Sequence, residues 1–140
     1  MITNTFVKDR VNIYYWKDDF NCTTTTLKIL AEAFEIPLHE QVISSAIGLP
    51  GAAQHGALCG LVSGTLMFIG IWGRKHSIPD SEISDQCNRF STAFDTRFGS
   101  LQCSVLRPEG FHPDNPPHLC EPITCKALEL SIAFLTNITP

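Results

Sequence analysis

The 140-residue chain carries six cysteines, yet no two of them are separated by only two residues. Without a C-x-x-C pair there is no zinc ribbon, no thioredoxin-like dithiol and no ferredoxin-type run, and without C-x-x-C-H there is no c-type haem attachment site. The glycines form neither G-x-G-x-x-G nor a P-loop, and nothing that reads as a strand precedes them, so nucleotide binding is unsupported. No G-x-S-x-G elbow frames Ser63 or Thr65, which read as packing residues rather than nucleophiles. Basic residues are few and scattered, and a net charge of -4 with a pI near 5.6 excludes a phosphate-tracking surface, so no nucleic acid is expected as partner. Residues Met1 to Arg10 have neither the basic start nor the apolar region of a secretory signal, which implies a cytoplasmic location. No apolar run reaches the roughly 20 residues that span a bilayer, so membrane insertion is not expected. Internal repeats and low-complexity segments are absent too.

What is present begins with Gly56 to Gly73, a stretch without a charged residue, which reads as a central buried helix over Gly56–Trp72. Gly56, Gly60 and Gly64 recur every fourth position and would line one side of it, where a neighbouring backbone can come close. Each glycine inside a helix costs about 0.5 to 1 kcal/mol relative to alanine, so close packing or room for a ligand must offset several penalties. Gly73, followed by Arg74 and Lys75, reads as the stop. With 44% hydrophobic residues the chain can bury a core of its own, and a single domain over 1–140 is expected.

Helical periodicity recurs on both sides of that stretch. Val7, Val11, Tyr14, Tyr15 and Asp18 share a helical face, although Val11–Trp16 is aromatic and β-branched enough to suit a strand. Asn21 is an N-cap, and Cys22, Thr26, Ile29, Leu30 and Ala33 cover one arc until Pro37 forces Ile36 out of the α region. Leu38, Val42, Ile43, Ala46 and Ile47 make a short helix ended by Gly48 and Pro50. A helix starting in Ser77–Asp80 carries Ile83, Cys87, Phe90, Phe94 and Phe98 on one side until Gly99. Ser100 can cap a turn over Leu101–Cys103, Ser104–Leu119 lacks periodicity, and a last helix opens at Glu121–Pro122. The expected fold is all-α, a compact bundle of about five or six helices around the glycine-rich one.

In this reading Cys22, Cys59, Cys103 and Cys120 all fall at or next to helix amino ends, whereas Cys87 lies in a helix interior on an aromatic face. A helix start presents unpaired N–H groups and partial positive charge, worth about 0.3 to 2 kcal/mol to a thiolate, which would make each a fair nucleophile or ligand near neutral pH. Four thiolates together repel, and a metal or cluster is their natural counter-charge. Cysteines also serve as small buried hydrophobes, which is the core reading taken for Cys87. With Glu121 as cap, Cys120 and Cys125 would occupy touching staple positions, able to pack, pair or share a site. His55 and His118, near Cys59 and Cys120, read as solvated loop residues that are also placed to tune a thiolate or ligate a metal.

These residues resemble the C_GCAxxG_C_C family, small proteins inferred to be redox-active, with four signature cysteines and a CGAxxG motif. Asn21–Cys22 resembles the first cysteine, Cys59-Gly60-Leu61-Val62-Ser63-Gly64 the central motif, Phe98–Cys103 the third, and Cys120 with Ala127 and Glu129 the last. Leu61 stands where the motif has alanine, and Cys87 and Cys125 are additions to the pattern. A similar cysteine arrangement is associated with an iron-sulfur-binding part of split-Soret cytochromes. The resemblance implies a cofactor-binding or metal site of Cys22, Cys59, Cys103 and Cys120, holding an iron-sulfur cluster or other soft metal for electron transfer with a redox partner protein, with Ser63 beside it. Two alternatives stay open: a metal-free thiol-disulfide oxidoreductase with Cys59 and Cys103 as its catalytic pair, and a helical interaction module with incidental thiols. The metal, the substrate and any homo-oligomer are left undetermined, as is whether the protein is an enzyme.

Overall fold

The structure, a computed structural model, describes residues 3–107 and 114–138. It is all-α, with five long helices and two short ones: α1 (Asn4–Asn12), α2 (Cys22–Ala33), α3 (Glu40–Ser45), α4 (Gly60–Lys75), α5 (Asp80–Phe98), α6 (Cys103–Leu106) and α7 (Glu121–Asn137). Among the described residues the one β feature is an isolated antiparallel bridge between Leu58 and Gln102. No helix among them is long and apolar enough to cross a membrane.

The aromatic stretch after α1 is helical rather than extended. Thr3 caps α1 by accepting from the Phe6 N–H at 3.2 Å, and a π-turn over Ile13–Lys17 prolongs the helix. Val7, Val11 and Tyr15 then fall four apart and are fully buried, so helical spacing prevails over β propensity. Asn21 caps α2 as expected, its Oδ1 accepting from Thr24 N–H at 2.8 Å. That helix stops before Pro37 can act. Glu35 takes a left-handed φ of 55°, and Ile36 N–H reaches Ala31 O at 3.0 Å, a Schellman closure made without glycine.

The central helix differs from its expected bounds. Gly56, Ala57 and Leu58 lie outside it, because Cys59 N–H bonds Leu101 O at 2.8 Å and Cys103 N–H bonds Ala57 O at 2.7 Å, which commits this strip to the bridge. Helix α4 therefore starts at Gly60, and Gly73 does not end it. An added Cβ at Gly73 would come 2.6 Å from Ile83 Cγ1, so that glycine admits α5, while Ser77 at φ 58° makes the Schellman closure with Ile78 N–H to Gly73 O at 2.9 Å. Nor is α4 the most enclosed element. That is α2, in which Thr23 to Ala31 are all buried except Lys28.

The glycine groove exists, and its occupant is the threonine run of α2. A Cβ on Gly60 would lie 2.8 Å from Cys22 Cβ and from Thr23 Oγ1, and one on Gly64 would lie 2.8 Å from Thr26 Cβ and 2.9 Å from Thr23 O. Ser63 hydrogen-bonds Thr23 across the seam at 3.2 Å, and Thr65 meets Ser131 of α7 at 2.9 Å. Around this pair pack Val7 and Val11 of α1, Phe90 and Phe94 of α5, and Leu128 and Leu135 of α7.

Two glycines of α4 give a paired test. Gly64→Ala should cost about 1 to 3 kcal/mol through overpacking against Thr26 and the Thr23 carbonyl. Gly70 has nothing within 4 Å of an added Cβ, so Gly70→Ala should be neutral or stabilise by up to about 1 kcal/mol. Denaturation midpoints check both, and equal midpoints for the two variants would remove the close seam as the organising contact.

Candidate functional site

All four signature cysteines stand at helix starts. Cys22 is the first residue of α2 and Cys103 the first of α6, while Cys59 and Cys120 are the cap residues of α4 and α7. The Leu58–Gln102 bridge sets the Cys59 and Cys103 segments side by side, and the missing Cβ of Gly60 lets Cys22 come against the start of α4. The result is one cavity of about 650 Å³, lined by Cys22, Cys59, Cys103 and Cys120, with Asp19, Arg107 and His118 as charged or titratable neighbours. Ile43, Ile47, Leu49 and Ile123 form much of its apolar wall.

The four cysteines line one cavity without being bonded to one another. All six cysteines are free, and among the described residues no three His, Cys, Asp or Glu side chains are gathered closely enough to hold a metal ion. The lining supplies four cysteines, the soft donor type that iron-sulfur clusters take.

Electrostatics reverse the expected activation of these thiols. Burial pushes Cys59 up to about 12, against the Leu61 N–H bond that favours its thiolate, and Cys22, Cys103 and Cys120 add repulsion. Burial likewise raises Cys120 to about 12, with Cys22 repelling and Arg107 attracting its negative charge. Cys22 and Cys103 are raised as well, again by burial first. The partial charge of a helix start is worth at most about 2 kcal/mol, and loss of hydration outweighs it here. All four thiols are pushed upward, which favours their protonated form at pH 7 in the metal-free protein.

Two contributors, Tyr15 and Arg107, are not singled out in the sequence, and a third, His118, reads there first as a solvated loop residue. Tyr15, fully buried, donates from Oη to Cys22 Sγ at 3.3 Å and meets Thr124 Oγ1 at 2.7 Å. Nothing in the spacing of a tyrosine seven residues before a cysteine signals this. Arg107 follows Cys103 by four residues, a helical spacing that points at it, and its charge favours the Cys22, Cys103 and Cys120 thiolates. His118 is no solvated histidine: its side chain is 10% exposed, its Nε2 lies 2.8 Å from Asp19 Oδ1, and its ring stacks on Tyr15 at 4.4 Å. Beside the cavity, Gly51, Ala52, Ala53 and Gln54 form a left-handed turn with φ between 52° and 60°. Such backbone costs a non-glycine residue about 1 to 2 kcal/mol, a strain typical of functional surroundings.

The remaining sequence candidates fall elsewhere. His55 is exposed and does not line the cavity, in keeping with a solvated role. Cys87 packs between α5 and α4, its Sγ 3.8 Å from Leu66 O, half-buried rather than deep in the core. Glu121 is the first residue of α7 and not its cap, so the touching pair predicted for Cys120 and Cys125 is displaced: Thr124 N–H bonds Cys120 O at 2.8 Å, and Cys125 lies among Glu121, Glu129 and Lys8. Ser63 is taken up by Thr23 and Gly60 O in the helix seam and does not line the cavity. The loop expected over Ser104–Leu119 is helical as far as Leu106, and its residues 108–113 lie outside the described residues.

Residues 20–133 match the family described as "Putative redox-active protein (C_GCAxxG_C_C)". No curated protein and no solved structure shows significant similarity.

The raised thiols make a pH prediction for the reduced, metal-free protein. Unfolded cysteines ionise near about 8.5, so below that pH both states hold their protons and stability is unaffected. Between about pH 9 and 12 the unfolded chain releases protons that folded Cys59 retains, and stability should fall by about 1.4 kcal/mol per pH unit for that thiol. Cys59→Ala should lose this part of the slope, and an unchanged slope in denaturation curves across that window contradicts burial as the dominant effect.

Proposed function

The chain belongs to this family, and from that premise we propose that Cys22, Cys59, Cys103 and Cys120 hold an iron-sulfur cluster through which the protein exchanges electrons with a redox partner protein. The observation that supports the reading is one cavity whose lining includes all four cysteines, which come from helix starts as distant in sequence as residues 22 and 120. Bound there, a cluster supplies a reversible electron couple. The chain's own residues supply the rest. With its thiol pushed up to about 12 by burial, Cys59 is a poor nucleophile by itself at neutral pH, whereas a cation that displaces the proton turns the same burial into shielding from water. The helix-start N–H groups and Arg107 then face sulfurs that carry negative charge, and the apolar wall limits solvent access.

One observation favours a second reading. The Leu58–Gln102 bridge lays the Cys59 and Cys103 segments against each other, as a dithiol would need. In that chemistry the two thiols form one disulfide and release two electrons and two protons to an acceptor disulfide, which becomes two thiols.

Protein prepared without oxygen separates the two. The cluster reading expects iron and sulfide on elemental analysis, with broad visible absorption that is lost in Cys22→Ala, Cys59→Ala, Cys103→Ala or Cys120→Ala and kept in Cys87→Ala. Colourless, iron-free protein that titrates as a two-electron dithiol, with Cys22→Ala and Cys120→Ala unaffected, establishes the thiol-disulfide reading instead.

A further inference from the structure

We infer that Tyr15 is a positioning residue of the four-cysteine site, holding the Cys22 sulfur through a hydroxyl whose direction Thr124 sets; this rests on the proposed role of Cys22. Tyr15 Oη lies 3.3 Å from Cys22 Sγ and 2.7 Å from Thr124 Oγ1. A phenol has one proton to give. With that proton on the sulfur, the Thr124 hydroxyl is the donor to the phenol oxygen, which leaves all three groups satisfied in a place where Tyr15 is 1% exposed. Phenylalanine would fill the same space, so packing alone does not call for the hydroxyl.

The surroundings keep the phenol aimed. Its ring lies nearly parallel to His118, 4.4 Å between centroids at 15°, and His118 is held by Asp19 at 2.8 Å. The next residue, Trp16, donates Nε1–H to Glu121 Oε1 at 2.9 Å, which anchors the π-turn to the start of α7. Turns of this type inside helices recur at functional sites, because they redirect a side chain without ending the helix. Thr124 follows Cys120 by four residues and their backbones are bonded, so one hydroxyl links two cysteine-bearing helix starts.

An O–H donor strengthens as the sulfur becomes more negative, so it favours the reduced state of any redox group bound through Cys22 and raises its potential. Removing the hydroxyl lowers that potential. Tyr15→Phe is the direct variant, Thr124→Val leaves the phenol in place but deprives it of its donor, and Tyr14→Phe removes a neighbouring phenol that bonds Glu32 instead.

Two measurements decide the matter. In reduced, metal-free protein, the S–H stretching band that disappears in Cys22→Ala should shift in Tyr15→Phe and stay in place in Tyr14→Phe. In anaerobically prepared protein carrying the cluster, Tyr15→Phe should weaken reduction about tenfold, about 59 mV lower for one electron, with a smaller shift of the same sign in Thr124→Val. An unmoved S–H band overturns the inference, as does an unmoved potential in cluster-bearing protein. If wild-type protein carries no cluster, the ligand reading falls, and the S–H band alone decides the role of Tyr15. Should Tyr15→Phe fail to fold by circular dichroism, Thr124→Val takes its place in both measurements, where a shifted band or potential supports the inference and an unmoved one overturns it.

Discussion

The contact on which the rest depends is the approach of α2 to α4 at Gly60 and Gly64, where no room is left for a Cβ. Close packing of two backbones is sensitive to a single added carbon, because protein interiors have few voids to absorb it. The Thr23–Thr26 run fits this seam through compact branched side chains rather than helix propensity. Its upper end is also the site. Gly60 meets Cys22 Cβ, so the geometry that closes the core sets the first cysteine against the helix whose cap is Cys59. Structural and chemical roles of the C-G-x-x-x-G stretch are one constraint.

From that junction the cavity is completed by pieces that have little regular structure of their own. The single bridge at Leu58 and Gln102 brings in Cys103, and the link from Tyr15 to Thr124 ties in the start of α7 after Cys120. Each cysteine is placed by a helix beginning, which fixes a backbone direction yet leaves the side chain at the edge of the bundle. Enclosure then dominates the chemistry. Desolvation outweighs the helix-start field and pushes the thiols upward, toward their protonated form.

Much of this was legible in the residues alone. Periodicity showed the helices, Asn21 and Gly99 marked their ends, and the resemblance to the family singled out the four cysteines. The misplaced boundaries share a cause. Glu35 and Ser77 close their helices in left-handed backbone that sequence rules assign to glycine, whereas Gly73, which looked like a stop, makes space for Ile83. Gly56 belonged by spacing with Gly60 and Gly64, but the Cys59 N–H bond to Leu101 O and the Cys103 N–H bond to Ala57 O draw its strip out of the helix.

The all-helical architecture, the small-residue seam and the placing of four cysteines at helix starts are written in the order of the residues, because each follows from local periodicity, capping and the absence of side-chain volume. That those cysteines line one cavity, that burial pushes their thiols upward, and that Tyr15, Arg107 and His118 stand beside them depends on packing between distant segments. Convergence and burial are sums over contacts between segments far apart in the chain. A thiol's ionisation depends on how much water that packing removes, and no spacing of residues encodes it.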